Sequence, residues 1–204
     1  MSEETSGNRS VYLPPEDFAD RKLPVVALEV TDWVRIHLDV HGPLFFSRNR
    51  NHRFSPVGGK HAVMYAAGDF NTAFLEVFGD TVLSRNECIG ACLSAQRWGR
   101  SVRSIISIRE LKLCDLTTPE ARTAVSVDLA TLMHSDLTIP QQWSEAVMNH
   151  PEDVDGILYP SRFTGESCLA LFDVGKKIAV EAPIQFPHCE DALAILDELA
   201  IALV

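Results

Sequence analysis

The sequence lacks any long apolar run. No stretch approaches the ~18 residues needed to cross a bilayer, and residues 1–10 are polar with no apolar segment behind them, so neither a membrane span nor a secretory leader is expected. Positive charge is also scarce: 18 Lys plus Arg face 28 Asp plus Glu, a formal net charge of −10. Such a surface repels duplex DNA on average, which argues against direct nucleic-acid binding. There is no Gly-x-Gly-x-x-Gly fingerprint and no Walker A sequence, so the common nucleotide folds are not indicated. Internal repeats and low-complexity linkers are missing as well. Cysteine is sparse and scattered over Cys88, Cys92, Cys114, Cys168 and Cys189. Cys88 and Cys92, four apart in CIGAC, would share a helix face, but no second pair completes a zinc site. His37 and His41 are also four apart, yet they straddle a strand end. No metal site is expected, and the thiols fit a reduced, cytoplasmic protein.

What remains is an ordinary globular composition: 204 residues, 46% hydrophobic and 23% charged, enough for one domain with a sizeable core. Residues 1–22 read as a polar, loosely packed arm, leaving 23–204 as the folded unit. LPVVALEV (23–30) and WVRIHL (33–38) read as two strands, and the second alternates so that Arg35 lies opposite Val34 and Ile36. HAVMYAA (61–67) is a further short strand. Asp69 or Asn71 is placed to cap a helix through Phe78, ended by Gly79. On that helix Glu76 sits roughly 120° from the centre of the apolar face. Residues 101–116 predict one or two strands, 119–134 and 140–149 helices, and 155–160, 168–172 and 176–180 strands. Residues 191–204 predict a C-terminal helix. Strands and helices mix without βαβ alternation, which indicates an α+β domain.

Several residues carry chemistry. Arg48, Arg50, His52 and Arg53 fall within six positions. With Gly58 and Gly59 just beyond, they suit a phosphate or diphosphate pocket, or alternatively a solvated basic loop. A strand-centre Arg35 needs solvent, a cross-strand carboxylate or a ligand anion. Glu76 suits a sugar hydroxyl or a developing positive charge, or is a plain boundary glutamate. Tyr65 is a core tyrosine or a stacking surface. Ser161, in YPSR after a strand end, begins a turn or hydrogen-bonds a ligand; it lacks the Gly-x-Ser-x-Gly context of an acyl-transfer nucleophile.

The order WVRI, HRFSP, VMYAAGDFNTAFLE, LKLCDLT and DGILYPSRFTGESCLALF, spanning about residues 33 to 173, resembles the RES-domain family, named for an Arg, a Glu and a Ser. Those positions map to Arg35, Glu76 and Ser161, and the other pocket positions to Arg53 and Tyr65, with His52 beside them. Two departures stand out: Val34 where an aromatic often precedes the first Arg, and Ser55-Pro56 where Asn-Pro is common. The resemblance implies an ADP-ribosyltransferase-like mixed or antiparallel sheet with surrounding helices, and a toxin of a toxin–antitoxin pair. Its implied substrate is NAD+, consumed without a metal by phosphorolysis or hydrolysis, or by ADP-ribose transfer to a protein. A non-catalytic nucleotide-binding RES module is the alternative. The implied partner is an antitoxin with an Xre-type helix-turn-helix part, and a homodimer is compatible with the sequence.

Overall fold

Two long strands frame the computed structural model, which describes residues 13–55, 57–58, 61–83, 91–173, 175 and 177–204. The first half of the chain gives β1 (Val25–Leu38), β2 (Val63–Ala67), α1 (Phe70–Leu83), β3 (Ala91–Leu93), α2 (Ala95–Gly99) and β4 (Ser101–Asp115). Then come α3 (Pro119–Ala124), α4 (Leu129–Leu132), α5 (Thr138–Met148), β5 (Gly156–Pro160) and β6 (Ser167–Phe172). The chain ends with β7 (Ile178–Val180), β8 (Ile184–Gln185), α6 (Glu190–Glu198) and β9 (Ile201–Leu203).

The main sheet runs β1-β2-β6-β5-β4-β7, and because β1 also pairs with β4 it closes on itself. The β4–β5 pair is parallel and the other pairs of this sheet are antiparallel. This is the mixed α+β architecture expected from the sequence. Closure leaves an inner face filled by Val30, Met64, Ile106, Leu113, Leu169 and Leu171. Outside it, Tyr159, Cys168 and Phe172 pack with Phe54 and with Trp143 of α5. A third apolar cluster holds Phe74 and Phe78 of α1 against Trp98, Phe186 and Ile195. Burial of large side chains of this kind contributes about 1.5–3 kcal/mol each before the entropy of ordering the chain is charged against it.

Several sequence expectations need correction. The two strands 23–30 and 33–38 are one strand, because Asp32 takes φ 58 at an irregularity that absorbs extra residues without ending the pairing with β4. Helix 119–134 is two helices, broken where Ser126 takes φ 60. Each has its own cap: Thr118 Oγ1 accepts from Ala121 N at 3.2 Å, and Asp128 Oδ1 accepts from Thr131 N at 2.6 Å. The C-terminal helix stops at Glu198, Ala200 turns the chain at φ 50, and β9 pairs in parallel with β3. Cys92 therefore lies in a strand rather than on a helix face; Cys88 lies outside the described residues. Of the polar arm, residues 1–12 lie outside the described residues, but the rest is not loose. Phe18 is buried edge-to-face on Trp143, ring centroids 5.4 Å apart.

Helix α1 begins where its cap predicts. Asp69 accepts from Thr72 N at 2.8 Å and from Thr72 Oγ1 at 2.7 Å, which satisfies an otherwise orphaned donor of the first turn. Gly79 does not end it. The helix continues to Leu83, and a Cβ on Gly79 would lie 2.6 Å from the Phe163 ring. This glycine is a packing contact that lets the loop after β5 press onto α1.

Candidate active site

The site begins where β1 and β2 part. They are in register at Val34↔Ala67, and a continued ladder would place Ile36 opposite Tyr65. Instead the incoming loop takes over: Ser47 exchanges both backbone hydrogen bonds with Val63, each 2.9 Å. Between the pairing and this bridge the Tyr65 carbonyl would go unsatisfied. Arg35 fills the gap, donating from Nη1 to Tyr65 O at 3.1 Å and from Nη2 to Phe45 O at 2.6 Å.

The strand-centre arginine thus has carbonyl partners in place of the cross-strand carboxylate considered above. It is only 7% exposed, and its Nε is buried with no hydrogen-bond partner. Burial lowers its pKa to about 10, which leaves it charged at neutral pH. A buried, charged guanidinium with unused donors has the chemistry to receive an anion.

A cleft of about 580 Å³ opens at this point, lined among others by Arg35, Arg53, Tyr65 and Glu76. Arg53 arrives on a loop that α5 pins from behind. Buried Gln141 donates from Nε2 to Arg50 O (2.6 Å) and His52 O (3.0 Å), and buried Ser144 donates from Oγ to Phe54 O (2.7 Å). Arg53 itself donates from Nη1 to the carbonyls of His134 (3.0 Å) and Leu132 (3.3 Å). Burial lowers its pKa, and the Arg162 charge adds to that effect. The Tyr65 hydroxyl accepts from Phe54 N at 2.9 Å, and burial raises its pKa.

On the facing side α1 presents Glu76. Its Oε1 accepts a 2.7 Å hydrogen bond from Ser161 Oγ, which joins α1 to the loop following β5. The Ser161 hydroxyl also accepts from the backbone N–H groups of Phe163 (3.1 Å) and Thr164 (3.4 Å). The turn reading of Ser161 is met, and the same hydroxyl also holds the glutamate. Glu76 lies near enough to Arg53 and Tyr65 to act electrostatically on both.

Arg35, Arg53, Tyr65 and Glu76 line one cleft, and Ser161 is hydrogen-bonded to the last of them. The His52 ring is at the margin, exposed and tilted against Tyr65 at 5.9 Å, with its pKa lowered by partial burial and then by Arg35. The rest of the basic segment does not join: Arg48 and Arg50 are exposed and do not line the cleft, nor does Gly58, and Gly59 lies outside the described residues. Among the described residues no group of His, Cys, Asp and Glu could hold a metal ion, and no helix is long and apolar enough to cross a membrane.

Sequence reasoning missed several cleft residues. His37, weighed above only as a metal ligand, takes a 2.9 Å hydrogen bond from buried Ser104 on Nε2 and gives one of 3.0 Å from Nδ1 to Leu38 O. Burial lowers its pKa. Arg162, next to Ser161, pairs with Asp80 and lies over the Phe163 ring at 4.4 Å. Arg97 lies over Phe78 at 5.0 Å. Adjacency to Ser161 was the one signal that pointed to Arg162; His37 follows the WVRI motif directly in β1, whereas Arg97 comes from α2, far from the motifs in sequence.

The sequence profile of the RES domain matches residues 32–194, a span that contains all six candidate residues. The chain belongs to the RES-domain family. It is 39% identical over 66 residues to "Probable toxin y4kH" of Sinorhizobium fredii (strain NBRC 101917 / NGR234). That match covers 31% of this chain and 52% of the relative, so it spans about half the length of the curated protein. The fold is similar to that in the crystal structure of the M. tuberculosis MbcT–MbcA toxin–antitoxin complex. The TM-score is 0.63 at 17% identity, over 85% of this chain and 91% of that one. At such identity the likeness shows the fold alone, the α+β architecture described above.

Proposed function

We propose that this RES-domain chain is a toxin that consumes NAD+ by cleaving the bond between nicotinamide and ribose. The observation that carries the reading is the pairing of two features across one cleft. One is a buried guanidinium with unused donors, and the other is a glutamate held by a serine from a separate element. NAD+ asks for both, since it is a dianionic diphosphate between two riboses and ends in a cationic nicotinamide.

Arg35 and Arg53 hold diphosphate oxygens with the donors that their carbonyl contacts leave free. Tyr65 packs against the neighbouring ribose. Glu76, oriented by Ser161, takes ribose hydroxyls and faces the positive charge that develops at the anomeric carbon as the glycosidic bond breaks. The bonding pair leaves with nicotinamide, which departs neutral from a cation, so no metal is needed. An acceptor oxygen then bonds to the anomeric carbon. Water gives ADP-ribose, phosphate gives ADP-ribose 1″-phosphate, and a protein side chain gives a modified target. Small-molecule NAD+ consumption is the favoured outcome.

The resemblance to a named probable toxin and to one member of a toxin–antitoxin complex supports an antitoxin partner. An Xre-type helix-turn-helix protein, the family's expected partner, is the candidate, acting in the cytoplasm.

Incubating the purified chain with NAD+, with and without inorganic phosphate, tests the reading by nicotinamide release and phosphorus NMR. Release that needs phosphate identifies a phosphorylase, and release without it a hydrolase. If NAD+ stays intact under both conditions and no labelled ADP-ribose reaches protein, the catalytic reading is wrong.

A further inference from the structure

The loop between β1 and β2 carries an aromatic pair that no role above uses. His41 and Phe45 are stacked with ring centroids 4.1 Å apart and planes 6° from parallel. Both line the cleft, and Phe45 is 42% exposed although it is large and apolar. The pair is held in place. Two backbone turns support it, with His41 N donating to Leu38 O (2.9 Å) and Phe45 N to Gly42 O (3.0 Å). Asp39 N donates to Arg100 O at 2.8 Å, and the Asp39 carboxylate pairs with Arg100 at 3.2 Å. An exposed ring held in a fixed, stacked geometry is a preorganised π surface, which a planar base can extend at little entropic cost.

Its position defines which planar group it takes. Arg35 is bonded to the Tyr65 carbonyl through Nη1 and to the Phe45 carbonyl through Nη2. Glu76 acts electrostatically on Tyr65. Arg35, Glu76, His41 and Phe45 line the same cleft, and Arg35 is tied directly to the loop that carries the aromatic pair through the Phe45 carbonyl. A dinucleotide placed with its reacting end at Glu76 sends its other base toward the aromatic pair.

The geometry points to the His41–Phe45 stack as the subsite that receives the purine base of the dinucleotide. This rests on the reading of the cleft as a dinucleotide site, and it adds a binding element with a specificity role. Purines are favoured over pyrimidines by their larger stacking area, and ligands lacking a base lose the contact.

AMP tests this without any turnover, because it carries the purine, a ribose and one phosphate but no bond to cleave. Calorimetric titration of the full chain with AMP, and with ribose 5-phosphate as the base-free control, reads the subsite directly. Aromatic stacking on a base is lost by alanine substitution at a cost equivalent to roughly fivefold to a hundredfold in affinity. Phe45→Ala is expected to weaken AMP binding by that factor and to leave ribose 5-phosphate unchanged. Phe45→Trp is expected to restore AMP binding, whereas Phe45→Leu, apolar but not planar, is not. Equal binding of AMP and ribose 5-phosphate by the unmodified chain overturns the inference, as does AMP affinity that is indifferent to Phe45→Ala. Phe45 is exposed, so unfolding is not expected, and the thermal midpoint of each variant checks it. Failure of NAD+ cleavage leaves this result standing, because AMP binding is read independently of nicotinamide release.

Discussion

Glu76→Gln isolates the charge at the centre of the proposed mechanism. The amide keeps the size of the side chain, and its carbonyl oxygen can still accept the Ser161 hydroxyl proton across the 2.7 Å contact. Only the negative charge disappears. A unit charge about 4 Å from a developing cation is worth about 4 kcal/mol at an effective dielectric near 20. Glu76 is half-buried on the cleft wall, so solvent screens part of this and about 3 kcal/mol is the reasonable figure. Since about 1.4 kcal/mol is tenfold in rate, kcat for nicotinamide release should fall roughly a hundredfold. The NAD+ dissociation constant should change little, because the charge acts on the transition state more than on the ground state. The assay is steady-state nicotinamide release, paired with a binding titration of the inactive variant. A Glu76→Gln protein that folds and keeps kcat within threefold of the original would refute the electrostatic role.

Other outcomes follow from the same contacts. Ser161→Ala removes the acceptor for two backbone N–H groups and the donor to Glu76. It should cost about 1–3 kcal/mol in denaturant unfolding as well as activity. Gly79→Ala should be destabilising although alanine favours helix by about 1 kcal/mol, because the added Cβ meets the Phe163 ring at 2.6 Å. A raised thermal midpoint for that variant would count against the packing argument. His37 is held neutral by burial, with Nε2 accepting from Ser104. Its folded pKa lies below the unfolded value, so its contribution is complete above about pH 6.5 and is lost as pH falls through the depressed folded pKa. His37→Gln should therefore flatten the acid limb of the melting curve against pH, and an unchanged limb would assign that loss to another group.

The sequence by itself determined the α+β mixture, the start of α1 with its cap narrowed to Asp69 or Asn71, and the motif residues that meet in the cleft. Those features are legible because they rest on local chemistry. Strand alternation isolates Arg35 from Val34 and Ile36, Asp69 supplies a cap three residues before Thr72, and YPSR follows directly on a strand. Even so, local signals misplaced several boundaries. Asp32, Ser126 and Ala200 take positive φ values that their side chains do not advertise. Gly79 reads as a helix terminator until Phe163, 84 positions away in the chain, is seen to occupy the space of its Cβ.

Tertiary structure alone decided which of the neighbouring basic residues faces the cleft. Arg53 turns inward because Gln141 and Ser144 of α5 tie down the carbonyls around it, while Arg48 and Arg50 stay in solvent. It also decided what Arg35 is bonded to and that Phe45 joins the site. Both depend on the parting of β1 from β2, which frees the Tyr65 carbonyl and brings the loop across. Sequence spacing records the residues a chain owns. Strand divergence and helix packing set which of their polar atoms are left without partners, and a ligand site is made from those atoms.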